Sequence, residues 1–264
     1  MNLDNFKAVM NQTGPADHVS KRYRFVPTTT ALTVLADHGW HPASVRESNV
    51  RLEEKVGFQS HIVRLRNEAF SQLINGREYH PEIVLKNSHN RGSAFQLGLG
   101  IWRQVCGNGL IATQDYGNFN IKHVGFASHF VEEAVHSLAS SAGKMIDAVE
   151  RFRQIRLSHT ERLNFAQEAI ELKFDPEEGA FALKPECVVE TRRFADMKER
   201  DNLWGVFNAV QENLVKGGTV GRTSDGRRRR DRGVTHIGRN MKLNRDLWGL
   251  ADKYAEAHGI ITHL

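Results

Sequence analysis

The sequence contains little cysteine and no long apolar run. These two features exclude several classes of protein. Its two cysteines, Cys106 and Cys187, lie 81 positions apart and form no CxxC motif. Such a pair builds neither a disulfide framework nor a zinc ribbon, so we expect two buried, reduced thiols. No apolar run approaches the roughly 18 residues of a membrane span, and the first residues lack a signal-peptide pattern. We therefore expect a cytoplasmic protein without a membrane partner.

Signatures of common enzyme classes are also missing. The chain has no GxxxxGK[ST], no HExxH and no GxSxG motif, which argues against a P-loop ATPase, a zinc protease and an α/β-hydrolase. His89 and Cys106 could form a base and a nucleophile, or two metal ligands, but spacing fixes no third partner. We expect no cofactor, no metal and no catalytic activity. A metal-dependent nuclease built on His89 and its neighbours stays open as an alternative.

Positive charge is present, and it is concentrated in one segment. The whole chain has 36 basic and 31 acidic residues, a net charge of +5. Residues 216–245 contain ten basic and two acidic residues, so this segment carries +8 and the remainder −3. After Lys216, the basic residues are Arg222, Arg227, Arg228, Arg229, Arg230, Arg232, Arg239, Lys242 and Arg245. A basic segment on a near-neutral protein is typical of a protein that binds a polyanion.

Hydrophobic periodicity predicts a change of structure near residue 127. Runs with period two, such as residues 57–67 and 93–106, predict strands, and an early helix is expected at 28–40. Further strands are predicted at 45–54 and 81–87, with the polar segment 87–92 as a hairpin connection. The predicted fold class is α+β, with an antiparallel sheet in the N-terminal half packed with long amphipathic helices from the C-terminal half.

The second half has helical periodicity. Apolar residues from Val131 to Phe152 recur at intervals of four and three, which predicts one long helix with a single apolar stripe. This stripe can face the core or a second subunit, so we expect a homo-oligomer. Further helices are predicted at 160–174, 200–217 and 242–258. We expect residues 1–127 and 128–264 to form one integrated domain, with residues 217–238 as a mobile basic loop because they hold six glycines and few apolar residues.

Six ordered blocks resemble a known family. They lie at residues 23–29, 37–40, 60–67, 81–90, 102–112 and 203–219. Together they resemble the phage- and plasmid-associated family called domain of unknown function 932. The resemblance implies a role on bacteriophages, prophages or conjugative elements. The segments NSHNRGSAFQL and WRQVCGNGL form the core of that family, so Asn87, His89, Cys106 and Asn108 are a candidate polar site, unless they form only a structural hydrogen-bond network.

These observations favour a DNA-binding protein of a mobile element. We expect it to bind single-stranded DNA through the arginine-rich segment during recombination or replication, without ATP, in the manner of strand-annealing proteins. A protein-interaction module that inhibits a host defence or DNA-processing enzyme is the main alternative. Trp248 fits either a buried stripe or an exposed platform for base stacking.

Overall fold

The structure is a computed structural model that describes residues 1–19, 23, 25–74, 77–103, 118–121, 129–174, 181–190 and 200–260. It confirms the predicted α+β class. Strands dominate the described N-terminal half, and helices dominate the C-terminal half.

The described part of the N-terminal half contains one α-helix and six strands. They are α1 (Thr28–Asp37), β1 (His41–Glu47), β2 (His61–Arg66), β3 (Gln72–Ile74), β4 (Arg77–Asn87), β5 (Phe95–Arg103) and β6 (Asn118–Ile121). The strands form one antiparallel sheet in the order β1-β2-β4-β5-β6, and β3 pairs with the start of β4. The alternating residues Leu97, Leu99 and Ile101 of β5 are buried, as their period predicts.

The first predicted strand is shifted along the chain. β1 begins at His41 and ends at Glu47, whereas residues 48–54 were expected to continue it. Instead, Glu53–Lys55 form a short 3-10 helix. The reason is that residues 48–54 are exposed or half-buried and have no partner strand, while β1 pairs with β2 from His41↔Arg66 to Glu47↔His61.

Where the structure describes it, the C-terminal half contains five helices and a small sheet. These elements are α2 (His129–Gln154), α3 (His159–Lys173), β7 (Phe181–Ala182), α4 (Pro185–Val189), α5 (Leu203–Lys216), β8 (Gly217–Thr223), β9 (Arg228–Arg232) and α6 (Ile237–Ala257). The three strands pair antiparallel in the order β7-β8-β9. Helix α3 begins at a capping box, in which Ser158 and Glu161 satisfy each other's backbone N–H groups.

The long helix α2 uses its apolar stripe inside the chain. Every member of the predicted stripe, from Val131 to Phe152, is at most 2% exposed. The stripe therefore belongs to the core, which agrees with the first of its two predicted roles. Self-association of the chain stays a prediction. The stripe gives it no support, because its residues are buried within the chain.

The described chain divides into two compact units. Of the described residues, the first unit contains those from 1 to 103 and from 118 to 145, and the second contains those from 146 to 260, so the boundary lies in α2 between Met145 and Ile146. This boundary lies about five helical turns after the change of period near residue 127. Unit 1 contains the large sheet, and unit 2 contains the arginine-rich segment.

Candidate nucleic-acid interface

The arginine-rich segment is a β-hairpin, so the prediction of a loop at 217–238 is wrong. β8 and β9 are joined by Ser224, Asp225, Gly226 and Arg227, and the hydrogen-bonded pair of Thr223 and Arg227 encloses the first three of them. The N–H of Gly226 donates to the Thr223 carbonyl at 2.8 Å, and the N–H of Thr223 donates to the Arg227 carbonyl at 3.0 Å. With Gly226 at a φ of +79°, this is a three-residue hairpin turn with glycine in the left-handed position. The turn chemistry outweighs the weak strand propensity of the flanking glycines and arginines.

One buried carboxylate fixes the orientation of β9. Asp231 is 5% exposed, and its Oδ1 accepts from the Thr219 backbone N–H at 2.6 Å. Its Oδ2 accepts from Nζ of Lys173 at 2.6 Å, and the same ammonium donates to the carbonyls of Leu214 and Arg232. Burial lowers the pKa of Lys173, and the Asp231 carboxylate opposes that shift. Because successive strand residues point to opposite faces, the inward Asp231 directs Arg230 and Arg232 to the other face.

The hairpin arginines are exposed, and each has a defined position in the register. Every arginine of the hairpin is exposed, namely Arg222, Arg227, Arg228, Arg229, Arg230 and Arg232. Arg222 lies directly opposite Arg228, and Arg230 lies opposite Val220 on the same face. Arg229 faces the other way, with its guanidinium carbon 5.3 Å from the centroid of the Phe181 ring. Like charges directly opposite each other destabilise a sheet unless an anion compensates them.

Few of these cations have a carboxylate partner. Arg227 pairs with Asp225 at 3.1 Å, and both side chains are exposed. Lys242 pairs with Asp246, four residues along α6. Among the residues that the structure describes, the other seven members of the predicted set of nine make no ion pair. Arg222 and Arg230 instead donate to the backbone carbonyls of Gly226 and Gly218. The hairpin thus presents positive charge that the described part of the chain leaves uncompensated.

The last helix begins five residues before its predicted start. α6 begins at Ile237, where His236 Nδ1 accepts from the Arg239 backbone N–H at 3.2 Å. Arg239 and Lys242 are exposed within its first turns, and Arg245 is half-buried. The start was missed because the polar residues between Ile237 and Leu243 obscure the apolar period. Arg239, Lys242 and Arg245 therefore lie on a regular helix of unit 2.

Trp248 is not an exposed stacking platform. It is 2% exposed, and its ring packs against Phe152, Trp204 and Phe207 with centroid distances of 5.3, 6.3 and 5.9 Å. Of the residues that the structure describes, Phe174 and Phe181 are the aromatic rings near the hairpin, and their centroids are 5.4 Å apart. Both are half-buried. Sequence reasoning missed them, although each flanks the glycine-containing connection between α3 and β7.

Cys187 corrects the expectation of two buried thiols. It is exposed, because α4 is a short surface helix that buries only Val188. Its side chain lines a cavity of about 360 Å³ together with Arg222 and Arg228. Cys106 lies outside the described residues.

In unit 1, the predicted polar residues Asn87 and His89 form a buried hydrogen-bond network. The Asn87 amide donates to the Val26 carbonyl at 3.2 Å and to the Thr28 hydroxyl at 3.0 Å. His89 Nε2 lies 2.9 Å from the Ala8 carbonyl. Asn87 and His89 are both fully buried. These contacts join the end of β4 to the N-terminal segment and to the start of α1.

Asn87 does not lie across from Trp102 in the sheet. The β4–β5 register pairs Lys86 with Gln96 and His80 with Trp102, so Asn87 and Trp102 lie at opposite ends of the ladder. The connection after Asn87 is short, so the end of β4 pairs with the start of β5. In an antiparallel pair, residues later in β5 therefore lie opposite residues earlier in β4. Cys106 and Asn108, the other members of the candidate polar site, lie outside the described residues.

The same network holds two groups with shifted pKa values. His61 Nε2 is 2.7 Å from the Thr28 hydroxyl, and burial lowers the pKa of His61 to about 4. The Tyr23 hydroxyl donates to the Ser88 carbonyl at 2.9 Å, and burial raises the pKa of Tyr23 to about 12. Both groups are neutral near pH 7, as a buried network requires.

The part of the chain that the structure describes contains neither a cluster of metal-binding side chains nor a helix that could span a membrane. No three side chains of His, Cys, Asp or Glu come together there in a group that could hold a metal ion. None of the helices in that part is long and apolar enough to cross a membrane.

Comparison with known proteins identifies the family. Residues 15–248 match the family described as domain of unknown function (DUF932). Two Escherichia coli (strain K12) proteins, UPF0380 protein YafZ and UPF0380 protein YfjQ, are each 30% identical over 233 residues, or 88% of this chain and 82% of the relative. No solved structure matches significantly. The family match and both relatives cover most of the sequence, and the chain therefore belongs to the DUF932 family.

Proposed function

We propose that the chain is a nucleic-acid-binding protein that holds single-stranded DNA on the arginine hairpin of unit 2. The observation that carries the proposal is the orientation of the hairpin. Asp231 is anchored inward by Lys173, while the neighbouring arginines are exposed and mostly lack acidic partners in the described chain. Guanidinium groups bind phosphate oxygens in a fork, and several such contacts together give strong, salt-dependent affinity.

The strand geometry favours an extended single strand. Arg228, Arg230 and Arg232 share one face of β9 and follow each other at about 6.6 Å. This interval resembles the spacing of successive phosphates along an extended nucleic-acid strand. β9 is also an outer strand of its sheet, so a polymer can run along it without displacing another strand.

Charged side chains on an outer strand have a second known role. They prevent edge-to-edge pairing with other sheets. This role explains isolated charges, but it does not require cations to lie opposite each other, as Arg222 and Arg228 do. A bound polyanion compensates that pair, so the register supports a phosphate ligand.

The biological setting is part of the same proposal. We infer a cytoplasmic protein of a phage or plasmid that acts in recombination or replication. The absence of a P-loop motif agrees with a mechanism that does not consume ATP. Binding through phosphates predicts tolerance of base sequence.

The test is fluorescence anisotropy of the purified full chain. Labelled single-stranded DNA, its duplex and RNA of the same sequence are titrated across a salt series. The proposal predicts preference for the single strand and a slope of log affinity against log salt of about −0.7 per neutralised phosphate. Absence of binding at low salt contradicts it. In that case, a partner protein retained from nuclease-treated host lysate would favour an inhibitory interaction module.

A further inference from the structure

Unit 2 contains a cavity of about 570 Å³ beside the base of the arginine hairpin. It lies between the end of α3, the connection from β9 to α6, and the first turns of α6. Its apolar lining includes Leu172, Phe174 and Leu243, and its cationic lining includes Arg232, Arg239 and Lys242. The volume falls within the range of small-molecule sites, roughly 300–1,000 Å³.

The apolar lining includes hydrophobic surface that the described residues do not cover. Leu172 is 39% exposed, and few other large apolar side chains of the described residues are exposed. The Phe174 ring is half-buried and contacts Phe181. A planar, apolar ligand group can therefore contact Phe174 and Leu172 without rearranging the core.

The cationic lining has an excess of positive charge. Arg232 and Arg239 are exposed and make no ion pair among the described residues. Lys242 is neutralised by Asp246, which also lines the cavity. Two guanidinium groups thus remain for an anionic ligand. At the start of α6, the backbone N–H of Arg239 already donates to His236 Nδ1 and is not available to an anion. Anion binding at this site therefore depends on the arginine side chains.

We propose that this cavity binds one nucleotide of the strand held by the hairpin. The base packs against Phe174 and Leu172, and a phosphate lies between Arg232 and Arg239. This inference rests on the proposed function and identifies the ligand at this end of the interface. Arg232 belongs to both surfaces, since it is the last residue of β9 and lines the cavity. We place the bound strand so that it runs along the hairpin and passes Arg232, the last residue of β9, into the cavity.

The proposal explains a preference for unpaired nucleic acid. A base in a duplex is stacked and paired, so its planar face is not available to a protein ring. A base in a single strand can stack on an aromatic side chain, whatever its identity. The cavity consequently selects for single strands but not for sequence.

The experiment combines base removal with substitutions in the cavity. The full chain is titrated with a labelled single strand and with the same strand containing abasic sites. We expect base removal to weaken wild-type binding on the order of tenfold. In Phe174→Leu, the intact strand should bind more weakly, and base removal should have little further effect. Leu172→Gln changes an exposed position and provides a second test if Phe174→Leu fails to fold.

The charged half of the site has its own matched pair of variants. Arg239→Gln should weaken binding of intact and abasic strands equally and should reduce the salt slope. Arg51→Gln removes an exposed arginine of unit 1 and should change neither. Equal binding of both strands to the wild type overturns this inference while leaving the proposed function intact. If the wild type binds neither strand, both are overturned.

Discussion

Lys173 and Asp231 form a buried ion pair that joins helix α3 to the outer strand of the arginine hairpin. Their side chains are 8% and 0% exposed, and Nζ lies 2.6 Å from Oδ2. The carboxylate also accepts from the Thr219 backbone N–H, and the ammonium also donates to two carbonyls. The pair sets which face of β9 carries Arg228, Arg230 and Arg232.

Removing the charge of Asp231 should destabilise the protein. Asp231→Asn retains an acceptor for Thr219 but leaves the buried ammonium of Lys173 without its counter-charge. We expect the free energy of unfolding to fall by roughly 3 kcal/mol, measured by urea denaturation. The matched control is Asp225→Asn in the exposed pair with Arg227, which should leave stability unchanged. Equal effects of the two substitutions would contradict the assigned role of Asp231.

Two glycines of the hairpin should respond differently to alanine. Gly226 has a φ of +79°, and a Cβ there would meet no other atom within 4 Å, so Gly226→Ala should cost about 1 kcal/mol of unfolding free energy. Gly217 has a φ of +66°, and a Cβ there would lie 2.4 Å from the backbone nitrogen of Gly233. Gly217→Ala should therefore cost more, because the backbone must move. Denaturant unfolding of both variants tests the order, and a larger loss for Gly226→Ala would refute the turn geometry.

Burial of neutral His61 should make stability depend on pH. Its pKa is lowered from 6.5 to about 4, so the unfolded state takes up a proton first as the pH falls. The contribution of His61 is complete above pH 6.5 and is lost progressively as the pH falls toward 4, by roughly 3 kcal/mol. Unfolding experiments at several pH values should show a smaller loss for His61→Gln. The same substitution at exposed His18 should retain the wild-type profile.

The Asn87 network should act on stability and not on binding. Asn87→Ala removes donors to Val26 and Thr28 and should lower the free energy of unfolding by about 2 kcal/mol. The folded variant should bind single-stranded DNA as the wild type does. Lost affinity in a folded Asn87→Ala protein would instead place this network in the functional site.

Strong periodicity made parts of the fold predictable. The stripe of α2 repeats over many turns, so the helix itself was predicted, and its burial in the core is the first of the two roles that the sequence left open. β5 was predicted for a similar reason, since Leu97, Leu99 and Ile101 alternate. The shift of β1 reflects the opposite case. Its burial alternates between exposed and half-buried residues, so composition gives little signal.

The candidate interface was predictable as a set of residues but not as a shape. Its arginines are evident from charge, whereas β8 and β9 contain mainly glycine and arginine, which rarely indicate strands. The Asp225-Gly226 dipeptide was the available signal for a turn. The anchoring of Asp231 by Lys173 was not predictable, because the two residues are 58 positions apart and only the fold brings them together.

The most direct test of the central claim is the salt dependence of binding after neutralisation of the hairpin. Arg227, Arg228, Arg229 and Arg230 are replaced together by alanine, and the control replaces Lys7, Arg46, Arg51 and Lys55, which are exposed in unit 1. Each variant loses four positive charges, so both reduce the net charge from +5 to +1. The hairpin variant should bind single-stranded DNA more weakly, with a salt slope smaller by about 2 to 3, and the control should retain the wild-type slope. Equal slopes for the hairpin variant and the wild type would show that the arginine hairpin does not hold the strand.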